Sequence, residues 1–179
     1  MKNIFIHILL LISLFIYAEA KDSFATLLAK CSLSFTFPKS FLPLGVRKNG
    51  DVEYDFAMKS KTNAIEIRYA IWSFDQMQQR NDLYVGLLQT MCLNISGGKS
   101  AQANHFKHED VANEFNADDG LTCMVPINSE FGQGYKFCMI NVIHKENIGD
   151  VYIFFLYDDY KVLFPFLLDE KVFHALKFK

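Results

Sequence analysis

Apolar positions along this chain recur with either strand or helix spacing, and the two periods divide it into successive elements. Phe24, Leu27, Leu28 and Cys31 follow helical spacing and predict a short leading helix from Asp22 to Cys31. Leu33, Phe35 and Phe37 then alternate with Ser34 and Thr36, a strand stopped at Pro38. Ser40 to Gly50, with Pro43, Gly45 and Asn49-Gly50, reads as loop or turn. A hairpin follows: Val52, Tyr54, Phe56 and Met58 alternate with acidic residues, and Ile65, Ile67, Tyr69 and Ile71 alternate with Glu66 and Arg68. This pattern predicts one buried face per strand. Pairing Phe56 with Ile67 and Tyr54 with Tyr69 would set Asp55 beside Arg68 on a wet face.

Tyr84, Leu87, Leu88, Met91, Cys92 and Ile95 form an apolar stripe at helical spacing, with Asn81 or Asp82 as cap and Gly97-Gly98 as stop. Beyond it, Val111 to Phe115, Leu121 to Ile127, Tyr135 to Ile143 and Val151 to Tyr157 read as strands. Asp118-Asp119-Gly120, Ser129 to Gly134 and Asn147 to Asp150 supply turn chemistry between them, so an antiparallel meander is expected. Pro165 opens an expected closing helix with Leu168, Val172, Phe173 and Leu176 on one face. Strands that bury one face need helices over that face. The expected fold class is therefore α+β, an antiparallel sheet of hairpin plus meander covered by helices in a layered sandwich.

The first residues are read differently. Met1-Lys2-Asn3 is short and basic, Ile4 to Tyr17 is apolar, and Ala18-Glu19-Ala20 places small residues at the last and third-last positions. These are the parts of a secretory signal peptide. The run is short of the roughly 20 apolar residues that a membrane span needs, and polar Lys21-Asp22-Ser23 follows it. The nearest cysteine, Cys31, is too far downstream for a lipoprotein signal. The division expected is a cleaved signal over residues 1–20 and a single α+β domain over residues 21–179, exported to a periplasm or secreted. Val151 to Leu168 holds Asp158, Asp159 and Lys161, each costing about 3 kcal/mol at a bilayer centre, so it reads as core.

Export changes the reading of the cysteines. An even set, Cys31, Cys92, Cys123 and Cys138, favours disulfides in an oxidising compartment. Three pairings are open; a hairpin around Gly132-Gln133-Gly134 favours Cys123 with Cys138, which leaves Cys31 with Cys92. No C-x-x-C or C-x-x-H spacing suggests zinc. The 18 Lys and Arg against 20 Asp and Glu are scattered, with no concentrated positive field for nucleic acid. The 18 phenylalanines fall largely at core positions.

No motif carries chemistry. Gly97-Gly98-Lys99-Ser100 resembles the tail of a phosphate loop, but Leu93 stands where the first glycine belongs. Gly132-Gln133-Gly134 has Phe137 in place of a third glycine. His105, His108 and Glu109 are the densest potential ligands, with spacing that fits no metal-protease pattern; they read as surface residues that bind no metal. His144 and His174 read as isolated surface residues. Asp118-Asp119 and Asp158-Asp159 read as turn carboxylates facing water, and no G-x-S-x-G elbow is present. Asn94-Ile95-Ser96 is a glycosylation sequon placed on the central helix. No catalytic, cofactor-binding or metal residues are assigned.

The strand Ser34-Phe35-Thr36-Phe37-Pro38, the central helix, the meander and the ending Phe173-His174-Ala175-Leu176-Lys177-Phe178 together resemble the Mog1/PsbP-like fold. The resemblance covers most of the chain after the signal segment. It implies a binding or accessory module rather than an enzyme and carries over no functional residue. The expected function is thus an exported, disulfide-stabilised, non-catalytic binding domain whose partner is another protein of the envelope or extracellular space. The alternatives are a carrier of an apolar small molecule and an enzyme with a site assembled from distant residues. After cleavage there should be no membrane anchor. Intact mass of the natively produced protein is expected to begin at Lys21; a mature form retaining Met1 would refute export by this route.

Overall fold

The computed structural model describes residues 24–74 and 83–179. The signal segment and the cap expected at Asn81 or Asp82 lie outside the described residues. In chain order the elements are α1 (24–30), β1 (Leu33–Phe35), β2 (Phe41–Leu44), β3 (Phe56–Ser60), β4 (Ile65–Ser73), α2 (Leu83–Ser96), β5 (Asn104–His105), α3 (His108–Phe115), β6 (Asp119–Pro126), α4 (Ser129–Gly132), β7 (Phe137–Lys145), β8 (Gly149–Tyr157), α5 (Tyr160–Leu167), α6 (Glu170–Phe173) and β9 (Leu176–Phe178). Among the described residues seven strands form one antiparallel sheet in the order β2-β3-β4-β8-β7-β6-β5. β1 and β9 pair separately, Leu33 opposite Phe178. The α+β class and the meander β6-β7-β8 are as expected.

The sheet is covered on both faces, and this overturns the one-wet-face expectation. Ile65, Ile67, Tyr69 and Ile71 of β4 join Ile153 and Phe155 of β8 in a first cluster beneath α1, α3, α5 and α6. The alternate residues Ala70, Tyr152, Phe154 and Leu156 join Leu88, Met91, Cys92 and Ile95 of α2 in a second. β4 and β8 are therefore buried almost end to end, like strands of a three-layer protein. Arg68 is fully buried, not solvated. Its Nε donates to Glu66 Oε1 at 2.6 Å and its Nη1 to the carbonyl of Phe131 at 2.7 Å. The rings of Tyr54 and Phe131 stand 4.9 and 4.7 Å from the guanidinium carbon. Asp55 does not meet Arg68; its Oδ2 accepts the amide of Ile71 at 2.7 Å.

The hairpin register is two residues from the expected one, with Phe56 opposite Tyr69 and Met58 opposite Ile67. A slip of two keeps Phe56 and Met58 on their expected face, but Val52 and Tyr54 fall before the strand and pack in the α2 cluster on the other face. Four element assignments need correction, the first being the strand expected from Val52, which begins only at Phe56. The Ser40–Gly50 stretch contains edge strand β2, which Pro43 does not prevent because an edge residue needs no inward amide. Val111 to Phe115 is not a strand but part of α3, which buries Val111 and Phe115 at i,i+4 and ends on Asn116 in the left-handed region. The closing helix is broken in two: Pro165 lies inside α5, Asp169 caps α6, and Leu176 begins β9.

α2 matches its stripe, with Leu88 and Met91 buried and Gly97 and Gly98 at positive φ after its end. Leu88→Ala is expected to destabilise by about 2–5 kcal/mol, while Leu93→Ala, at a residue 41 % exposed, should change stability by less than about 0.5 kcal/mol. Urea unfolding of both variants checks the helical phase; equal losses would reject it.

Candidate functional site

Two places in the fold bring functional side chains together. The first is at the end of the sheet beneath the start of α2. The β7–β8 turn, with Asn147 at φ 60° and Gly149 at φ 154°, sets His144 directly opposite Asp150. Both are buried, and His144 Nδ1 lies 2.7 Å from Asp150 Oδ1. Tyr84, from the first turn of α2, stacks its ring on that of His144 with centroids 4.4 Å apart and planes 12° from parallel. Its hydroxyl donates to Asp119 Oδ2 at the start of β6, and Asp119 Oδ1 accepts the amide of Gly120 at 2.7 Å and faces His105 Nδ1 at 3.5 Å. Two histidines, two carboxylates and a tyrosine thus form a chain contributed by five elements.

Most of the chain's polar groups are used by its own members. Burial raises the Asp150 carboxyl above the ordinary carboxylate range, against the opposing pull of His144. At Asp119 burial also acts upward, but the hydroxyl of Tyr84, the amide of Gly120 and His105 outweigh it and hold the carboxyl below its ordinary value. Burial, then the bond to Asp119, pushes the Tyr84 hydroxyl up. The Tyr84 ring covers the imidazole that would serve as a base. Among the described residues no three His, Cys, Asp or Glu side chains converge as a metal would require.

His144, expected at the surface, is therefore a core residue, and Asp119 is not a freely solvated turn carboxylate. Asp118 accepts the amide of Glu146 at 2.8 Å. His108 and Glu109 are exposed on the first turn of α3. His174 is half-buried and meets Glu114 at 2.9 Å. Asp159 caps α5 through the amide of Lys161 at 2.9 Å. Gly97-Gly98-Lys99-Ser100 is the exposed stretch after α2, and Asn94 is exposed on that helix.

The cysteine pairings also need correction. Register places Cys123 opposite Ile140 and Cys138 opposite Val125, so Cys123 and Cys138 are diagonal neighbours, about 7–8 Å apart and too far for a bridge. Cys31 and Cys92 belong to clusters on opposite faces of the sheet. Cys92, Cys123 and Cys138 are buried free thiols.

The second place is an open groove of about 320 Å³ lined by Phe24, Ala25, Leu28, Phe35, Phe37, Pro43 and Phe56. The rings form a continuous set: Phe24 stacks on Phe56 at 4.5 Å, Phe35 meets both edge-on, and Phe37 contacts Phe35 at 6.2 Å. The packing arises because β1 and α1 lay their aromatics on the β3 end of the sheet. Further along the chain, Tyr160 and Phe164 on α5 and Leu168 just after it leave an exposed apolar row, at 45, 47 and 68 % exposure.

No family model matches the sequence, and no curated protein does. The structure is similar to the solution structure of cyanobacterial PsbP (CyanoP) from Synechocystis sp. PCC 6803, with a TM-score of 0.50 and 13 % identity over 84 % of this chain and 88 % of that one. The fold is PsbP-like. At that identity the PsbP-like likeness describes the chain's path and carries no site residue. No described helix is long and apolar enough to cross a membrane.

The Tyr84–Asp119 bond gives a pH test. A carboxyl whose folded pKa lies below its unfolded value, about 3.9, stabilises fully above that value and loses the contribution as pH falls through the folded one. Tyr84→Phe should therefore cost about 1.5–3 kcal/mol at pH 7, and the deficit should shrink in acid as Asp119 protonates. Carboxyl carbon NMR should show the Asp119 midpoint moving upward in the variant; an unmoved midpoint would deny Tyr84 its role.

Proposed function

We propose that this protein is an exported, non-catalytic binding or accessory domain that receives an apolar segment of a partner protein in the aromatic groove. The observation that carries the reading is the groove itself. Six apolar side chains and one alanine line it, and Phe37 remains 37 % exposed at its rim. Water gains nothing from such a surface, whereas a partner's side chain laid across it would remove apolar area at about 25 cal/mol per Å².

The carrier reading draws on the same groove, whose volume lies at the lower end for small-molecule sites. The open shape supports an extended segment more than an engulfed ligand. The enzyme reading has less support: the Tyr84 ring covers His144, and Asp119 already accepts the Tyr84 hydroxyl and the Gly120 amide, although Asp150 Oδ2 is buried without a hydrogen-bond partner among the described residues. Export rests on the sequence of residues 1–20.

Phe37→Asp puts a charge at the groove rim, and Val85→Asp puts one on the exposed side of α2 on the other face of the sheet. Pull-down from the native exported fraction should show a protein retained by the unsubstituted chain and by Val85→Asp, and reduced at least about tenfold with Phe37→Asp, while both melting temperatures stay near the original. Equal capture by all three would remove the groove as the binding face. An apolar small molecule co-purifying in stoichiometric amount would put the carrier reading first.

A further inference from the structure

α2 rests on the sheet through its apolar stripe and, near its last third, through a pair of sulfurs. Cys92 Sγ lies 2.8 Å from Cys123 Sγ on β6, and both residues are buried, at 0 and 2 % exposure. They come from elements 31 positions apart in sequence, so folding, not local chain geometry, brings them together. A bonded pair stands at about 2.05 Å; less than about 1 Å of approach separates the two arrangements, within reach of small side-chain rotations.

We infer that Cys92 and Cys123 form a redox-closable crosslink that fastens α2 to β6 when the protein meets a disulfide donor of the oxidised-glutathione class. Either sulfur can donate its S–H to the other; where Cys123 donates, the Cys92 thiolate is favoured and Cys92 is the attacking group. The Cys92 thiolate attacks one donor sulfur, making a mixed disulfide and expelling the first donor thiolate. Cys123, deprotonating, then attacks the Cys92 sulfur and expels the second. Two electrons pass from the cysteines to the donor, which leaves as two thiols carrying the two cysteine protons. Both sulfurs are buried, so the first attack follows a local opening of α2. This crosslink replaces the pairings expected from sequence and does not depend on what occupies the groove.

The natively produced protein, reduced and then held in a glutathione redox buffer, would be alkylated in denaturant and mapped without reduction. The expected result is loss of alkylation at both Cys92 and Cys123, a single peptide pair joining them, and a melting temperature raised by about 10 °C that falls back on reduction. Cys123→Ala, with its fold checked by circular dichroism, should keep Cys92 alkylatable and show no oxidant-dependent shift. If that variant does not fold, the peptide map of the unsubstituted chain decides alone. Both thiols remaining alkylatable in a buffer that oxidises the urea-unfolded chain, or a link from either one to Cys138 or Cys31 in the folded chain, would overturn the inference.

Discussion

Arg68 sits fully buried on β4, a strand hydrogen-bonded on both sides and covered on both faces. A cation there needs a carboxylate and acceptors brought to it, since leaving it unpaired would cost several kcal/mol. Glu66 comes from the same strand and face. Tyr54 and the carbonyl and ring of Phe131 come from segments outside the sheet ladder. Those two segments are then tied to each other. Gly50 donates its amide to Glu130 at 2.6 Å, Asn128 reaches Asp51 at 3.0 Å, and Arg47 donates to Gln133 at 2.6 Å. The irregular stretch before β3 and the α4 turn are thus closed over one end of the α2 layer by the needs of one guanidinium. An apolar residue at this position would keep the burial and lose the reason for that closure.

The same residue explains where sequence reading stops. Alternation of apolar with polar residues says which face of a strand is certainly buried, and β4 and part of β3 were legible on that basis, β7 and β8 as apolar runs between turns, and α2 from its stripe. It cannot say whether the other face is wet. Glu66 and Arg68 look like solvated positions until α2 and α4 are placed over them. Short elements failed for a related reason. In α3 only Val111 and Phe115 are buried, two residues that fit a strand of five as well as a helical turn, and the deciding features are the exposed polar residues between them and the left-handed Asn116. The end of the chain was read as one helix because its apolar spacing ignores the caps. Asp169, bonded to the amide of Lys171 at 3.0 Å, restarts the helix, and β9 finds its ladder partner in β1, far away in sequence.

The polar chain from His105 to Asp150 was missed, His144 being read as an isolated surface residue, although one link carried a signal. A tight turn at Asn147 to Gly149 puts residues equidistant from it opposite each other, so His144 facing Asp150 follows from turn chemistry and counting. Tyr84, Asp119 and His105 reach the pair from three further elements with no shared spacing, and no pattern could have announced them. The cysteines behaved in the same way. A hairpin reading placed Cys123 near Cys138 correctly in face and wrongly in register, while Cys92 meets Cys123 through the docking of α2, a contact invisible to strand counting.

The sheet also separates the two activities proposed for the molecule. The aromatic groove belongs to the first cluster, under α1 and β1, whereas Cys92 and Cys123 belong to the second, under α2. A crosslink on the second face restrains a helix whose register against β6 is already set by Leu88, Cys92 and Ile95, so it raises the free energy of opening without asking the native backbone to move far. The Phe24, Phe35 and Phe56 rings pack against one another and against Tyr69, across the strand layer from that crosslink. Core packing transmits strain only where atoms must shift, and here the required shift is confined to two sulfurs on the far side. Oxidation should therefore act on the lifetime of the folded domain and leave the shape of its groove unchanged, a division of labour that suits the exported binding role proposed above.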